Sequence, residues 1–125
     1  MIVGIIGLGL IGGSMAIDLK RRGFARIVLG VEADPVNAAA AERMELVDEI
    51  VPFEECVRRS DITVIAIPVG SAVKMLPQVL DIFKEEGNGT KIVIDTCSTK
   101  SNIVRAAHYH PLRCRFVATH PMAGT

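Results

Sequence analysis

The chain has 125 residues, half of them apolar with a mean hydropathy of +0.38, and its 14 basic and 14 acidic side chains give a net charge of zero. This length fits a single domain, residues 1–125, that can bury a core. Zero net charge and the lack of Trp give no basis for binding nucleic acid. We also expect no membrane partner, because no apolar run reaches the roughly 18 residues of a membrane span.

The cysteines and the N-terminus favour a reduced, cytoplasmic protein. Cys56, Cys97 and Cys114 are an odd number at unrelated spacings, which matches neither a metal motif nor a disulfide framework. The N-terminus has neither the basic segment nor the cleavage site of a signal peptide.

Apolar strands and helices alternate along the whole chain. Strands are predicted over residues 2–6, 27–31, 49–51, 61–67, 91–95 and 116–119, and helices over 12–22, 35–44, 54–59, 71–84 and 99–107. Asp34 before Pro35 predicts a helix N-cap, and Gly23 predicts the end of the first helix. Pro77 predicts a break in the fourth helix, and residues 87–89 predict a turn.

This alternation predicts an α/β fold. Buried strands that alternate with helices form a parallel sheet covered on both faces, and six of them give a doubly wound Rossmann fold with strand order 3-2-1-4-5-6. Ligands of such sheets bind at the carboxyl ends of the strands. Every chemically distinctive segment directly follows a predicted strand, namely residues 7–13, Glu32, residues 68–69, residues 97–98 and residues 120–125.

The glycine-rich turn after the first strand predicts a dinucleotide site. Its GxGxxG pattern consists of Gly7, Leu8, Gly9, Leu10, Ile11 and Gly12. In this pattern Gly7 allows the tight turn, Gly9 lets the backbone approach a pyrophosphate, and Gly12 lets helix and strand pack closely. The helix N-terminus supplies free N–H groups and partial positive charge. Ile67, Pro68 and Val69, after the fourth strand, are expected to contact the same cofactor.

Glu32 favours NAD over NADP. It lies 20 residues beyond Gly12 at the end of the second strand, where an acid accepts hydrogen bonds from a ribose and repels a 2′-phosphate. A solvated acid is the alternative, and Arg26 or Arg43 provides another way to bind a phosphate. Asp34 is better explained as an N-cap.

Ser98 and His120 are candidate catalytic residues at the same edge of the sheet. Ser98 is either an N-cap or a hydroxyl that holds an imidazole or touches a nicotinamide. Imidazole titrates near neutral pH, so His120 is a candidate base for an alcohol proton, although a lone His is more often structural. Cys97 is interpreted as structural. His108 and His110 lack a third ligand nearby, so we expect surface residues and no metal site.

Four segments of the sequence belong together, namely GLGLIGGS at residues 7–14, AIPV at 66–69, Asp-x-x-Ser-x-Lys at 95–100 and HPMAGT at 120–125. Together they resemble the prephenate/arogenate dehydrogenase family of tyrosine biosynthesis. GxGxxG is shared by many dehydrogenases, whereas HPMAGT is much more specific. The resemblance covers essentially the whole chain.

The resemblance implies an NAD-dependent oxidative decarboxylation of prephenate to 4-hydroxyphenylpyruvate. It assigns His120 as the base that accepts the ring hydroxyl proton, Ser98 as its hydrogen-bond partner near the nicotinamide, and Thr125 as a substrate contact. It also implies a second, helical domain with a carboxylate-binding Arg and the homodimer interface, which this sequence lacks. Alone, the chain is therefore expected to bind NAD weakly and to have no appreciable dehydrogenase activity.

Some features leave alternatives open. Thr96-Cys97 stands where family members often have a glycine before the serine, which affects packing against a nicotinamide. Arogenate in place of prephenate, another two-domain enzyme such as a β-hydroxyacid dehydrogenase or imine-type reductase, and a non-catalytic dinucleotide sensor are the competing interpretations.

Overall fold

The computed structural model describes residues 1–87 and 89–122, which form one six-stranded sheet with helices on both faces. The strands are β1 (Ile2–Ile6), β2 (Ile27–Val31), β3 (Glu49–Ile50), β4 (Ile62–Ile65), β5 (Ile92–Asp95) and β6 (Phe116–Val117). The helices are α1 (Leu10–Arg21), α2 (Pro35–Arg43), α3 (Phe53–Arg59), α4 (Val69–Glu86) and α5 (Ser101–Ala107). Thr125 and the middle of the predicted turn at 87–89 lie outside the described residues.

The sheet order β3-β2-β1-β4-β5-β6 confirms the predicted doubly wound Rossmann topology. All five strand pairs are parallel. The chain adds strands to one side of β1 and then returns to add β4 on its other side, so the order reverses between β1 and β4. Crevices for ligands form at such reversals, beyond the carboxyl ends of the strands.

The core has two main parts, one on each face of the sheet. One part packs α4 against the sheet through Leu76, Val79, Leu80 and Phe83, all of which are fully buried. The other packs α1 and α2 on the opposite face, where small side chains such as Ala16 let the helices approach closely. Successive β1 residues serve opposite faces, as expected for a central strand.

Two helix predictions need correction. Helix α1 begins at Leu10, two residues before the predicted Gly12, because Gly9 is extended and its carbonyl accepts the first helical hydrogen bond, from Gly13 N at 2.8 Å. Helix α4 is one unbroken helix that contains Pro77, so the predicted break there is wrong. Buried side chains on both sides of the proline, including Leu76 and Leu80, favour one continuous helix, and their burial offsets the roughly 3 kcal/mol that an interior proline costs.

Two local predictions are confirmed. Asp34 is the N-cap of α2, since its side-chain Oδ1 accepts a hydrogen bond from Val36 N at 2.8 Å, with Pro35 at the first helical position. Gly23 has a positive φ of 69°, and it lies just after the C-terminal cap of α1.

We expect Gly12→Ala to lower the free energy of unfolding by about 1–3 kcal/mol. A Cβ at this position would lie 1.9 Å from the carbonyl oxygen of Gly7, so the backbone would have to move. Gly70→Ala is the matched control, because a Cβ there meets nothing within 4 Å. That control should be neutral or stabilising by up to about 1 kcal/mol, since Ala favours helix. Urea unfolding measures both, and equal stabilities would contradict close packing at Gly12.

Candidate functional site

The glycine-rich turn connects β1 to α1 and depends on glycine at two positions. Gly7 has a φ of 97°, and its N–H donates to the Val31 carbonyl at 2.8 Å, which joins the turn to β2. A Cβ at Gly7 would lie 2.4 Å from the carbonyl oxygen of Ala66. Together with the contact of Gly12 on Gly7, these constraints hold the start of α1 against the end of the sheet.

The start of α1 offers backbone donors to an anion. The first N–H group of α1 that donates a helical hydrogen bond is that of Gly13. The N–H groups of Leu10, Ile11 and Gly12 therefore have no partner inside the helix. A Cβ at Gly9 would meet nothing within 4 Å, which leaves room for a ligand to approach the backbone there. Aligned N–H groups and the positive end of the helix dipole suit a phosphate.

Glu32 follows β2 and holds the glycine-rich turn from the side. Its Oε1 accepts a hydrogen bond from Leu8 N at 2.9 Å, and its Oε2 accepts one from Asp34 N at 3.2 Å. A carboxylate has about four acceptor sites, so both oxygens retain capacity for ribose hydroxyls. The N–H of Leu8 is thereby occupied and its side chain is buried, so Leu8 supports the turn and does not line the cleft.

A cleft of about 430 Å³ opens at the carboxyl ends of β1, β4 and β5. Most of the residues predicted to contact a cofactor or substrate line it, together with three neighbours. The lining residues are Gly9, Leu10, Ile11, Ala66, Ile67, Pro68, Val69, Thr96, Cys97, Ser98 and His120. Gly7, Gly12 and Glu32 lie behind or beside this lining. The cleft therefore places the N-terminus of α1, with its free backbone donors, and a histidine on the same walls.

Ser98 and His120 enter the cleft from neighbouring strands, and both are exposed. Helix α5 begins at Ser101 with Lys100 at its N-cap position, so the interpretation of Ser98 as an N-cap is wrong. Within the described part of the chain, no hydrogen bond joins the Ser98 hydroxyl to the His120 ring. Both groups are thus available to a ligand.

A buried carboxylate, for which the sequence predicts no role of its own, links these two segments. Asp95, the last residue of β5, is fully buried. Its Oδ2 accepts hydrogen bonds from Cys97 N at 3.1 Å and from Lys100 Nζ, and its Oδ1 accepts one from Thr119 N at 3.0 Å. Burial alone raises the pKa of Asp95, but the donors from Lys100, Thr119 and Cys97 outweigh it and hold the pKa below its usual value.

Comparisons with known proteins show the family to which the chain belongs. Residues 15–125 match the family described as "Prephenate dehydrogenase, nucleotide-binding domain". The chain belongs to this family. It is 32% identical to a prephenate dehydrogenase of Lactococcus lactis over 97% of the chain and 34% of that protein. It is also 32% identical to a prephenate dehydrogenase of Bacillus subtilis over 97% of the chain and 32% of that protein. The chain thus spans about a third of the length of these relatives.

Solved structures of the same family superpose on the entire chain. A prephenate dehydrogenase of Aquifex aeolicus, in complex with hydroxyphenyl propionate and NAD+, has a TM-score of 0.77 and 27% identity and is covered over 43% of its length. An arogenate dehydrogenase of Synechocystis has a TM-score of 0.81 and 31% identity and is covered over 42%. These matches confirm the resemblance that the four sequence segments indicated.

The remaining histidines take structural or surface positions. His108 is exposed, as predicted. His110 is not a surface residue, since only 10% of its side chain is exposed. Its Nδ1 accepts from Leu112 N at 3.0 Å, and its Nε2 lies 2.7 Å from Asp81 Oδ1, so it joins the loop after α5 to α4.

The part of the chain that the structure describes shows no sign of a metal site or of a membrane span. No cluster of three or more His, Cys, Asp or Glu side chains there is placed to hold a metal ion. Within residues 1–87 and 89–122, no helix has both the length and the apolar character to cross a membrane.

We expect iodoacetamide to alkylate Cys114 at least about tenfold faster than Cys97 or Cys56, because the thiolate is the reactive form. Cys114 is exposed, whereas Cys97 and Cys56 are buried. Burial raises the pKa of the Cys97 thiol, with a further contribution from Asp95, and burial raises the pKa of Cys56 to about 11. Mass spectrometry of peptides over time measures the rates, and Cys114→Ser leaves only the slow sites. Labelling of Cys97 as fast as Cys114 would show a reactive thiol in the cleft.

Proposed function

We propose that the chain is the NAD-binding part of a dehydrogenase that oxidises and decarboxylates prephenate. The observation that supports this most is the shared cleft, in which the anion-binding start of α1 and His120 lie on the same walls. Membership of the family supports the same function, because the family match covers residues 15–125 and does not depend on the glycine-rich turn alone.

The proposed cofactor contacts follow from the geometry of the cleft. Gly9 and the N–H groups of Leu10 and Ile11 bind the pyrophosphate, and Glu32 accepts hydrogen bonds from the adenosine ribose. Ile67, Pro68, Val69 and Ser98 line the part of the cleft assigned to the nicotinamide. The Aquifex aeolicus relative was crystallised with NAD+. When bound, NAD accepts a hydride from the substrate.

The position of Glu32 supports NAD over NADP. Its carboxylate is held beside the glycine-rich turn by two backbone N–H groups, so it stands where a 2′-phosphate would have to enter. A phosphate there would face a fixed negative charge, and Glu32 would have to move away from Leu8 and Asp34.

His120 is the proposed base of the reaction. His120 accepts the proton of the hydroxyl group on the ring carbon that gives up the hydride, so that a carbonyl forms at that carbon. The bond between the ring and its carboxylate then breaks, carbon dioxide leaves, and the electron pair moves into the ring. The resulting phenolate recovers the proton from His120. Aromatisation drives the reaction, so the residues of the cleft mainly bind and orient the reactants.

Arogenate is the second candidate substrate. The likeness to the Synechocystis arogenate dehydrogenase, at 31% identity, is close to the likeness to the prephenate dehydrogenases, at 32%. The proposed substrate contacts in this chain are Ser98, His120 and Thr125, the last of which lies outside the described residues.

The cleft is open to water on its outer side, which supports a need for further protein. His120 is exposed, and Leu10 is 88% exposed. An active site for hydride transfer excludes water, so we propose that residues beyond the 125 described by this sequence complete the walls and form a homodimer. We also propose a cytoplasmic location, supported by three free cysteines.

We expect the chain to bind NAD more tightly than NADP, and Glu32→Gln to weaken NAD binding by about tenfold, because a charged acceptor for the ribose is lost. Isothermal titration calorimetry measures both affinities. Glu42→Gln, an exposed acid on α2, is the matched control and should leave both unchanged. Equal affinity of the unmodified chain for NAD and NADP would contradict the role of Glu32.

We expect the 125-residue chain alone to form NADH from prephenate no faster than background, since its cleft is open. A fusion with the part of the Bacillus subtilis relative that lies beyond the match should restore turnover, and His120→Asn should reduce it by a factor of about 10²–10⁴. NADH absorbance measures the rate with prephenate and with arogenate in parallel. A fusion that binds NAD but oxidises neither substrate would contradict the proposed function.

A further inference from the structure

We propose that Asp95 is the positioning residue that fixes Ser98 and His120 relative to each other across the cleft. The importance of Asp95 for hydride transfer rests on the proposed function. The order of the two segments does not, because it depends on hydrogen bonds inside the chain. Asp95 itself does not line the cleft, so it acts only through its neighbours.

The contacts of Asp95 reach both segments at the residue immediately before each functional side chain. Cys97 N donates to Oδ2, and Cys97 precedes Ser98. Thr119 N donates to Oδ1, and Thr119 precedes His120. The Thr119 hydroxyl also donates to the Asp95 backbone carbonyl. One side chain with two oxygens therefore sets the spacing between two loops that are more than 20 residues apart in sequence.

Sheet pairing alone does not position the segment that carries His120. Strand β6 contains only Phe116 and Val117, which pair with Val93 and Ile94 of β5. The ladder ends there, three residues before His120. Beyond that point, among the residues that the structure describes, Thr119 attaches the segment carrying His120 to the end of β5 through its bonds to Asp95.

The charge of Asp95 is needed as well as its shape. Three donors converge on the two oxygens, and the Lys100 ammonium is one of them. An Asn side chain offers one acceptor oxygen and turns an NH₂ group toward the remaining donors. Because the Asp95 side chain has no exposed surface, an unsatisfied donor or acceptor there costs more than it would in solvent. Asp95→Asn should thus weaken the attachment of both segments while leaving the shape of the core intact.

The test compares the chain with Asp95→Asn by NMR in the absence of any ligand. We expect lower heteronuclear ¹H–¹⁵N NOE values at Ser98 and His120, and hydrogen exchange at Thr119 that is faster by about tenfold or more. Val79→Ala in α4 is the control for lost stability, since it removes buried methyl groups away from the cleft. It should accelerate exchange across the core without selectively lowering the NOE values at Ser98 and His120.

A second variant keeps the test decisive where Asp95→Asn does not fold. Thr119→Val removes the hydroxyl bond to the Asp95 carbonyl and keeps the backbone bond to its carboxylate. A lowered NOE at His120 with no change at Ser98 supports the proposal. Unchanged NOE values in a folded Asp95→Asn, or at His120 in Thr119→Val, overturn it, as does a Val79→Ala pattern identical to that of Asp95→Asn.

NAD binding separates this proposal from the proposed function. We expect Asp95→Asn to change NAD affinity by no more than about twofold, because the glycine-rich turn and Glu32 are untouched. NOEs between the His120 ring and the nicotinamide should weaken in that variant. If the unmodified chain fails to bind NAD, the proposed function fails, whereas the measurements without ligand still decide the role of Asp95.

Discussion

The reversal of strand order between β1 and β4 is the constraint on which the rest of the structure depends. Because β1 is central and parallel to both neighbours, the helices that follow β1 and β4 leave on opposite faces of the sheet. A crevice therefore opens between them at the carboxyl edge. The packing of Gly12 on Gly7 keeps the start of α1 pointing into that crevice, and the chain can then place further groups there simply by ending strands with them.

Much of the fold was predictable because its strands are short apolar runs that end at glycine or polar residues. The strand order and most strand ends follow from that pattern, since parallel strands buried on both faces have little freedom in composition. The predictions failed where tertiary packing overrides local preference. Pro77 reads locally as a helix breaker, yet α4 continues through it because Leu76 and Leu80 are buried on either side.

The candidate site was predictable in part, for a related reason. Gly9 lies in the GxGxxG pattern and His120 in the HPMAGT segment, and both residues line the cleft. Asp95 belongs to the Asp-x-x-Ser-x-Lys segment, but its role was not predictable, because its partner Thr119 is 24 residues away and an acid at a strand end usually faces solvent. Its burial depends on three donors that only the folded chain brings together. The burial and the role of Asp95 therefore follow from the folded structure and not from the sequence pattern.

The groups of the candidate site lie on the most rigid elements of the chain. The groups proposed to bind the cofactor and to move the proton come from strand ends, which the sheet holds in place. The chain is about equally similar to prephenate dehydrogenases, at 32% identity, and to an arogenate dehydrogenase, at 31%. Under the proposed function, a framework shared at this level suits a step that both kinds of enzyme have in common.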